Sequence, residues 1–179
     1  MSSLRTITAL AATAVSLTAA PAALAHTDAV GNASGTPNAN VCVADIQCTY
    51  LNYAHGKPTD VVRHSGTIKS WKLNAASVGG TVRLRILRPA GHGSFKLVRS
   101  SALRTVADDG VNTFPASLKV RAGDVLGLTN STSGLYMESA TWSDVEYFNY
   151  DNPVSTTHAR KPNRSVPQLH ALLSARVTR

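Results

Sequence analysis

From residue 41 to residue 148 the apolar side chains come in short runs rich in β-branched and aromatic types. The runs are broken by turn-forming clusters at Gly79-Gly80, Pro89-Ala90-Gly91, Asp108-Asp109-Gly110 and Ala122-Gly123-Asp124. No stretch there holds a helical period for three turns. Many short strands at even spacing predict an all-β, antiparallel sandwich or barrel. The pattern is clearest in TVRLRILRPAGHGSFKLVR, residues 81–99, where Val82, Leu84 and Ile86 alternate with Arg83 and Arg85. Such a strand lays one face on a core and leaves the other to solvent. A second strand, SFKLVR, follows the turn. Pairing Ile86 with Phe95 and Leu84 with Leu97 matches the two apolar faces, and it places Arg85 opposite Lys96. Like charges facing each other across a ladder are mildly destabilising, so an acid from a third strand, solvent, or an anionic ligand must relieve them.

TWSDVEYF, residues 141–148, is a source for that acid. Trp142, Asp144, Glu146 and Phe148 share one face of a strand, and Ser143, Val145 and Tyr147 the other. If this strand neighbours the basic hairpin, the charges pair across the sheet. If it does not, Arg83, Arg85 and Lys96 form a basic face for an anionic ligand. LKVRAGDVLGL, residues 118–128, reads as strand, tight turn and strand, with Gly123 at positive φ, Asp124 bonded to the turn backbone, and Leu126 and Leu128 inward. Trp71 belongs to the core with Leu73.

The ends change the picture. MSSLRTITALAATAVSLTAAPAALA has an early Arg5, an apolar or small stretch over residues 6–20, and Ala23-Leu24-Ala25 at the small-x-small position. This predicts a signal peptide over 1–25, with His26 opening the mature chain. The apolar run falls short of the roughly 20 residues that cross a bilayer, so no transmembrane segment is expected. The expected location is secreted, extracellular or cell-wall associated. HTDAVGNASGTPNAN, residues 26–40, offers little to bury and reads as a flexible leader, with the sandwich domain over 41–179. Residues 153–167 read as a basic loop carrying Arg160, Lys161 and Arg164. Residues 168–178 fit a helical or a strand period, and the expectation is a closing strand.

The whole chain has 18 Lys and Arg against 10 Asp and Glu, a net charge of +8. For an exported protein this favours an anionic cell-wall polymer or acidic polysaccharide as partner, and not nucleic acid, which such a protein seldom meets. The two cysteines, Cys42 and Cys48, suggest one disulfide. On a straight strand their Cα atoms would stand about 20 Å apart, so the chain must turn between them, around Ala44-Asp45.

At VRLRILRPAG (82–91) and VRAGDVLGL (120–128), with GTIKSW (66–71) upstream, the chain resembles a group of secreted actinobacterial proteins of unassigned function. The resemblance covers roughly residues 60–130. It implies a jelly-roll-like β-sandwich and an extracellular home, and it carries no catalytic motif.

Candidate chemistry is sparse. A mature N-terminal His26 offers an amine and an imidazole to copper, and with a second histidine it would resemble the histidine brace of lytic polysaccharide monooxygenases. Its candidate partners, His55, His64, His92, His158 and His170, are scattered along the chain. GHGSF around Ser94 lacks the strand-to-helix elbow of a nucleophilic serine. Asp144 and Glu146 lie on one strand, whereas glycosidase carboxylates flank a cleft. The expectation is therefore a binding module without catalytic activity or cofactor. Trp142 beside Asp144 and Glu146 serves as a sugar-stacking platform, and Arg83, Arg85 and Lys96 as an anion-binding face. The alternatives are a copper-dependent polysaccharide oxidase built on His26, and a structural envelope protein that assembles through its edge strands.

Overall fold

The computed structural model describes residues 25–40, 48–130, 134–149 and 156–179, and these hold twelve strands and no helix. In chain order they are β1 (Thr27–Asn32), β2 (Cys48–Ala54), β3 (Lys57–Pro58), β4 (Gly66–Ala75), β5 (Thr81–Pro89) and β6 (Phe95–Ser100). There follow β7 (Arg104–Thr105), β8 (Gly110–Val120), β9 (Val125–Asn130), β10 (Met137–Asn149), β11 (Arg164–Ala171) and β12 (Leu173–Thr178). The smaller sheet has the order β1-β12-β4-β8. The larger has the order β11-β10-β2-β9-β5-β6, with β3 beside β2 and β7 beside β5. Every pairing is antiparallel.

The alternation read in the sequence builds the core. Val82, Leu84 and Ile86 of β5, with Tyr50, Leu126 and Leu128, face Ile68, Trp71, Leu73, Phe114 and Val120 of the smaller sheet. Trp71 and Phe114 pack with ring centroids 4.5 Å apart. Fully burying an aliphatic side chain of this size contributes on the order of 2 kcal/mol, so the inter-sheet layer is the main source of stability. A second cluster, Leu51, Tyr53, Leu87, Phe95, Val125 and Phe148, lies on the opposite face of the larger sheet. Part of that sheet is thus apolar on both faces, which explains the unbroken burial of β9. Arg160 pairs with Phe95 through bonds of 2.7 and 2.9 Å, and Asn163 N donates to Tyr147 O at 3.2 Å. Those ties strap the chain across the second cluster.

The expected tight turn at 121–124 is present, with Gly123 at φ 87° and Arg121 N donating to Asp124 Oδ2 at 2.9 Å. It carries the chain from the smaller sheet to the larger.

Several expectations are corrected. Residues 26–40 are not a loose leader: β1 pairs along β12 with Val30 buried, and Ala39 bridges to Met137. The bonds that hold β1 are main-chain bonds, and polar side chains do not prevent them. The basic loop ends earlier than Pro167, because β11 begins at Arg164. The closing strand is two strands in two sheets. The chain crosses at buried Leu172, whose N–H donates to Tyr136 O at 2.9 Å while its carbonyl accepts from Asn74 N at 3.0 Å.

The β5–β6 register also differs. Leu87 faces Leu97 and Pro89 faces Phe95, with an irregularity at Ile86/Leu87. Arg85 therefore faces Ser100, and Arg88 faces Lys96. Matching Leu87 with Leu97 fills the second apolar cluster, which a one-faced reading of the strand leaves out. The signal peptide lies outside the described residues for all but Ala25. Of the expected disulfide, Cys42 lies outside them too, and Cys48 opens β2, buried.

Candidate functional site

The outer face of the larger sheet is where the sequence placed its binding residues. By strand alternation Arg83 and Arg85 project from β5 on the side away from the core. Arg85 Nε donates to Thr129 Oγ1 at 2.8 Å and its Nη1 to Ser100 Oγ at 2.7 Å. Thr129 in turn shares a 2.7 Å hydrogen bond with Thr49. Burial, followed by the neighbouring charge of Arg83, pushes Arg85 down to about 10. Arg83 Nε is buried and has no hydrogen-bond partner among the described residues. A half-buried arginine pair beside hydroxyls, with no carboxylate against it among the described residues, is arranged to gain from an anion.

The acid that the sequence offered as a balance for this pair stands elsewhere. Asp144 and Glu146 are on β10, and β2 and β9 separate β10 from β5. Three inter-strand spacings amount to about 14 Å. The charges therefore do not pair across neighbouring strands. Lys96 is not part of the face either: it stands opposite Arg88, whose side chain alternates to the other side of the sheet from Arg83 and Arg85. The like-charge pair on the hairpin is Arg88/Lys96, and Asp124 relieves it through hydrogen bonds of 2.8 and 3.0 Å to Arg88.

Asp144 and Glu146 belong to a separate patch. Burial, more than the nearby Asp144 charge, raises Glu146 above the usual carboxylate range, against a lowering hydrogen bond from Tyr53. Asp144 Oδ1 accepts from Gln168 N at 3.2 Å. Trp142 is 55% exposed, and its indole meets the His170 ring at a centroid distance of 4.7 Å and a tilt of 45°. Ser143 and Val145 are buried and Val145 and Tyr147 pack with the core cluster, which decides the face that the alternation left open.

One contact was not legible in the sequence: Ser143 Oγ lies 3.3 Å from His170 Nδ1. It is not a nucleophile and base, because Ser143 is buried and its hydroxyl donates to Tyr53 O at 3.0 Å. His170 must then be the donor to Ser143, and burial lowers its affinity for a second proton.

At the amino-terminal edge, His26 Nε2 and His64 Nδ1 each approach Asp28 at 3.0 Å, and Arg179 Nε approaches it at 3.2 Å. The structure thus joins two histidines the sequence left scattered, and it joins them through a carboxylate already held by a cation. Among the described residues no three His, Cys, Asp or Glu side chains are grouped to hold a metal ion.

No family model matches the chain, and no curated protein matches it. A solved structure similar to it holds the cysteine protease and lectin-like domains of Cwp84, a surface layer associated protein of Clostridium difficile. The likeness has 13% sequence identity and a TM-score of 0.45, and covers 75% of this chain. The chain spans 32% of that one. Among the described residues no helix is long and apolar enough to cross a membrane.

Proposed function

We propose that this protein is a secreted, non-catalytic β-sandwich module that binds anionic cell-wall polymer or polysaccharide. The observation that carries the reading is the arginine pair Arg83 and Arg85, half-buried on an outer sheet face, with two strands between it and the acids of β10. Guanidinium groups so placed hold phosphate or carboxylate through forked hydrogen bonds. Trp142, more than half exposed, adds an aromatic surface on which a sugar ring can stack.

Counted along the chain, β1, β2, β4, β5, β6, β8, β9 and β12 stand as first-eighth-third-sixth in one sheet and second-seventh-fourth-fifth in the other. We read this order as a jelly roll, with β10 and β11 added beyond β2. The test is sedimentation of the mature protein with Gram-positive cell walls and with insoluble polysaccharides at low and high salt. Retention is expected at low salt, and high salt and the Arg83→Ser/Arg85→Ser variant are each expected to weaken it. No retention on any matrix would overturn the reading.

A further inference from the structure

On the other side of β5, where the β5–β6 hairpin approaches β4 and β8 of the smaller sheet, lies a groove of about 440 Å³. Its lining is Gly66, Thr67, Arg88, Val98, Arg99, Lys119, Val120 and Arg121, four cations and no acid. We propose that this groove is a seat for a polymer whose backbone alternates phosphodiester groups with short carbon units. This inference rests on the anionic-polymer reading and assigns it a second location.

Three observations support the assignment. The first is charge. Among the described residues Asp124 is the one carboxylate bonded to a lining cation, and it engages Arg88 through Nε and Nη2. Arg99, Lys119 and Arg121 are exposed and have no ion pair among the described residues; Arg99 Nη1 bonds only the carbonyl of Val98, at 2.9 Å. The second is preorganisation. Asp124 is 1% exposed and also accepts from Arg121 N, so one buried carboxylate fixes the Arg88 guanidinium and the backbone that carries Arg121. A cation held in place loses less conformational freedom when it meets an anion than a free one does. The third is the chemistry of the lining. Half-buried Val98 presents apolar surface beside the cations, buried Val120 backs the groove, and Thr67 adds a hydroxyl. Charge beside carbon surface suits a chain in which charge and carbon segments alternate.

The residues come from four strands and a turn: β4 gives Gly66 and Thr67, β5 gives Arg88, β6 gives Val98 and Arg99, and β8 runs through Lys119 and Val120 into Arg121. Gly66 is required by packing, since a Cβ there would strike the Thr178 carbonyl and the Val177 side chain. None of these residues shares the outer face of Arg83 and Arg85, so the two seats can be removed separately.

The experiment measures binding of the mature protein to soluble poly(glycerol phosphate), to polygalacturonate and to neutral dextran at low salt. It compares wild type with Arg99→Ser/Lys119→Ser/Arg121→Ser and with Arg83→Ser/Arg85→Ser, each checked for unchanged thermal unfolding. The groove variant is expected to bind poly(glycerol phosphate) about tenfold more weakly, with a shallower salt dependence. The two sets share no described partner, so combining them is expected to be additive. Binding by the groove variant within about twofold of wild type, while the arginine-pair variant is weakened, would overturn the groove and leave the functional reading standing. Polygalacturonate binding as tight as poly(glycerol phosphate) would overturn the phosphodiester assignment. If wild type binds neither anionic polymer, the functional reading falls and the groove falls with it.

Discussion

Arg88 and Asp124 form a two-pronged ion pair, Nε to Oδ1 at 2.8 Å and Nη2 to Oδ2 at 3.0 Å, that ties the β5–β6 hairpin to the turn joining the two sheets. The carboxylate is buried and the guanidinium is half-exposed. Removing the carboxylate leaves Arg88 beside Lys96 without compensation and removes the acceptor of Arg121 N. Asp124→Ala is expected to lower stability by about 2–4 kcal/mol, read from urea unfolding. A loss under about 0.5 kcal/mol would show that the pair behaves as an exposed salt bridge.

Asp60 sets a pH dependence. It is 3% exposed, and burial raises its carboxyl to about 6 despite hydrogen bonds from Asn52 and Thr59. The folded state therefore holds the proton more tightly than the unfolded state. That contribution is fully present below the unfolded value of 3.8 and is lost as pH rises through about 6. The two-unit difference corresponds to on the order of 3 kcal/mol. Asp60→Asn keeps an acceptor for Asn52 and is expected to flatten the stability profile between about pH 4 and 7. Urea midpoints across that range check it, and an unchanged slope counts against Asp60 as the source.

The amino-terminal strand should loosen in acid. Desolvation pushes the Asp28 carboxyl upward, but the hydrogen bond from His64 and the charges of Arg179, His26 and His64 outweigh it, so the net shift is downward. Its stabilisation is present above the ordinary carboxylate value and is lost as pH falls through the lowered folded one. Asp28→Asn is expected to speed amide exchange across Thr27–Asn32 at neutral pH, with the core strands β5 and β9 unaffected. Equal protection in the variant would mean that the main-chain pairing with β12 suffices.

The two tryptophans should separate packing from binding. Trp71 is fully buried against Phe114, and Trp71→Ala is expected to cost about 3–5 kcal/mol in unfolding free energy. Trp142→Ala is expected to change stability by less than about 1 kcal/mol while reducing retention on insoluble polysaccharide. Acrylamide quenching of the Trp71→Phe protein, which reports Trp142 alone, should be strong and should fall when a sugar polymer covers the exposed ring.

Much of the fold is legible along the chain, because a side chain's face in a strand follows from its parity. Val82, Leu84 and Ile86 are inward, as are Leu126 and Leu128, and Trp71 and Leu73 are core neighbours, all from local alternation. The turn at Gly123-Asp124 follows equally from local backbone requirements. Residue parity says nothing about which strand lies beside which. That choice put β2 and β9 between the arginines and the acids, so the pairing the sequence allowed did not form. Nor does parity reveal main-chain partners, and a Gly/Asn-rich segment such as 26–40 therefore carries no side-chain signature of the strand it forms on β12.

The sequence by itself determined an all-β chain, the inward faces of strands such as β5 and β9 toward the main core, and an excess of positive charge, since each depends on residue type and near neighbours. Only the tertiary structure decided where that charge meets. Arg88 comes from β5, Arg99 from β6, and Lys119 and Arg121 from the end of β8 and its turn, and it is sheet packing that brings them around one groove.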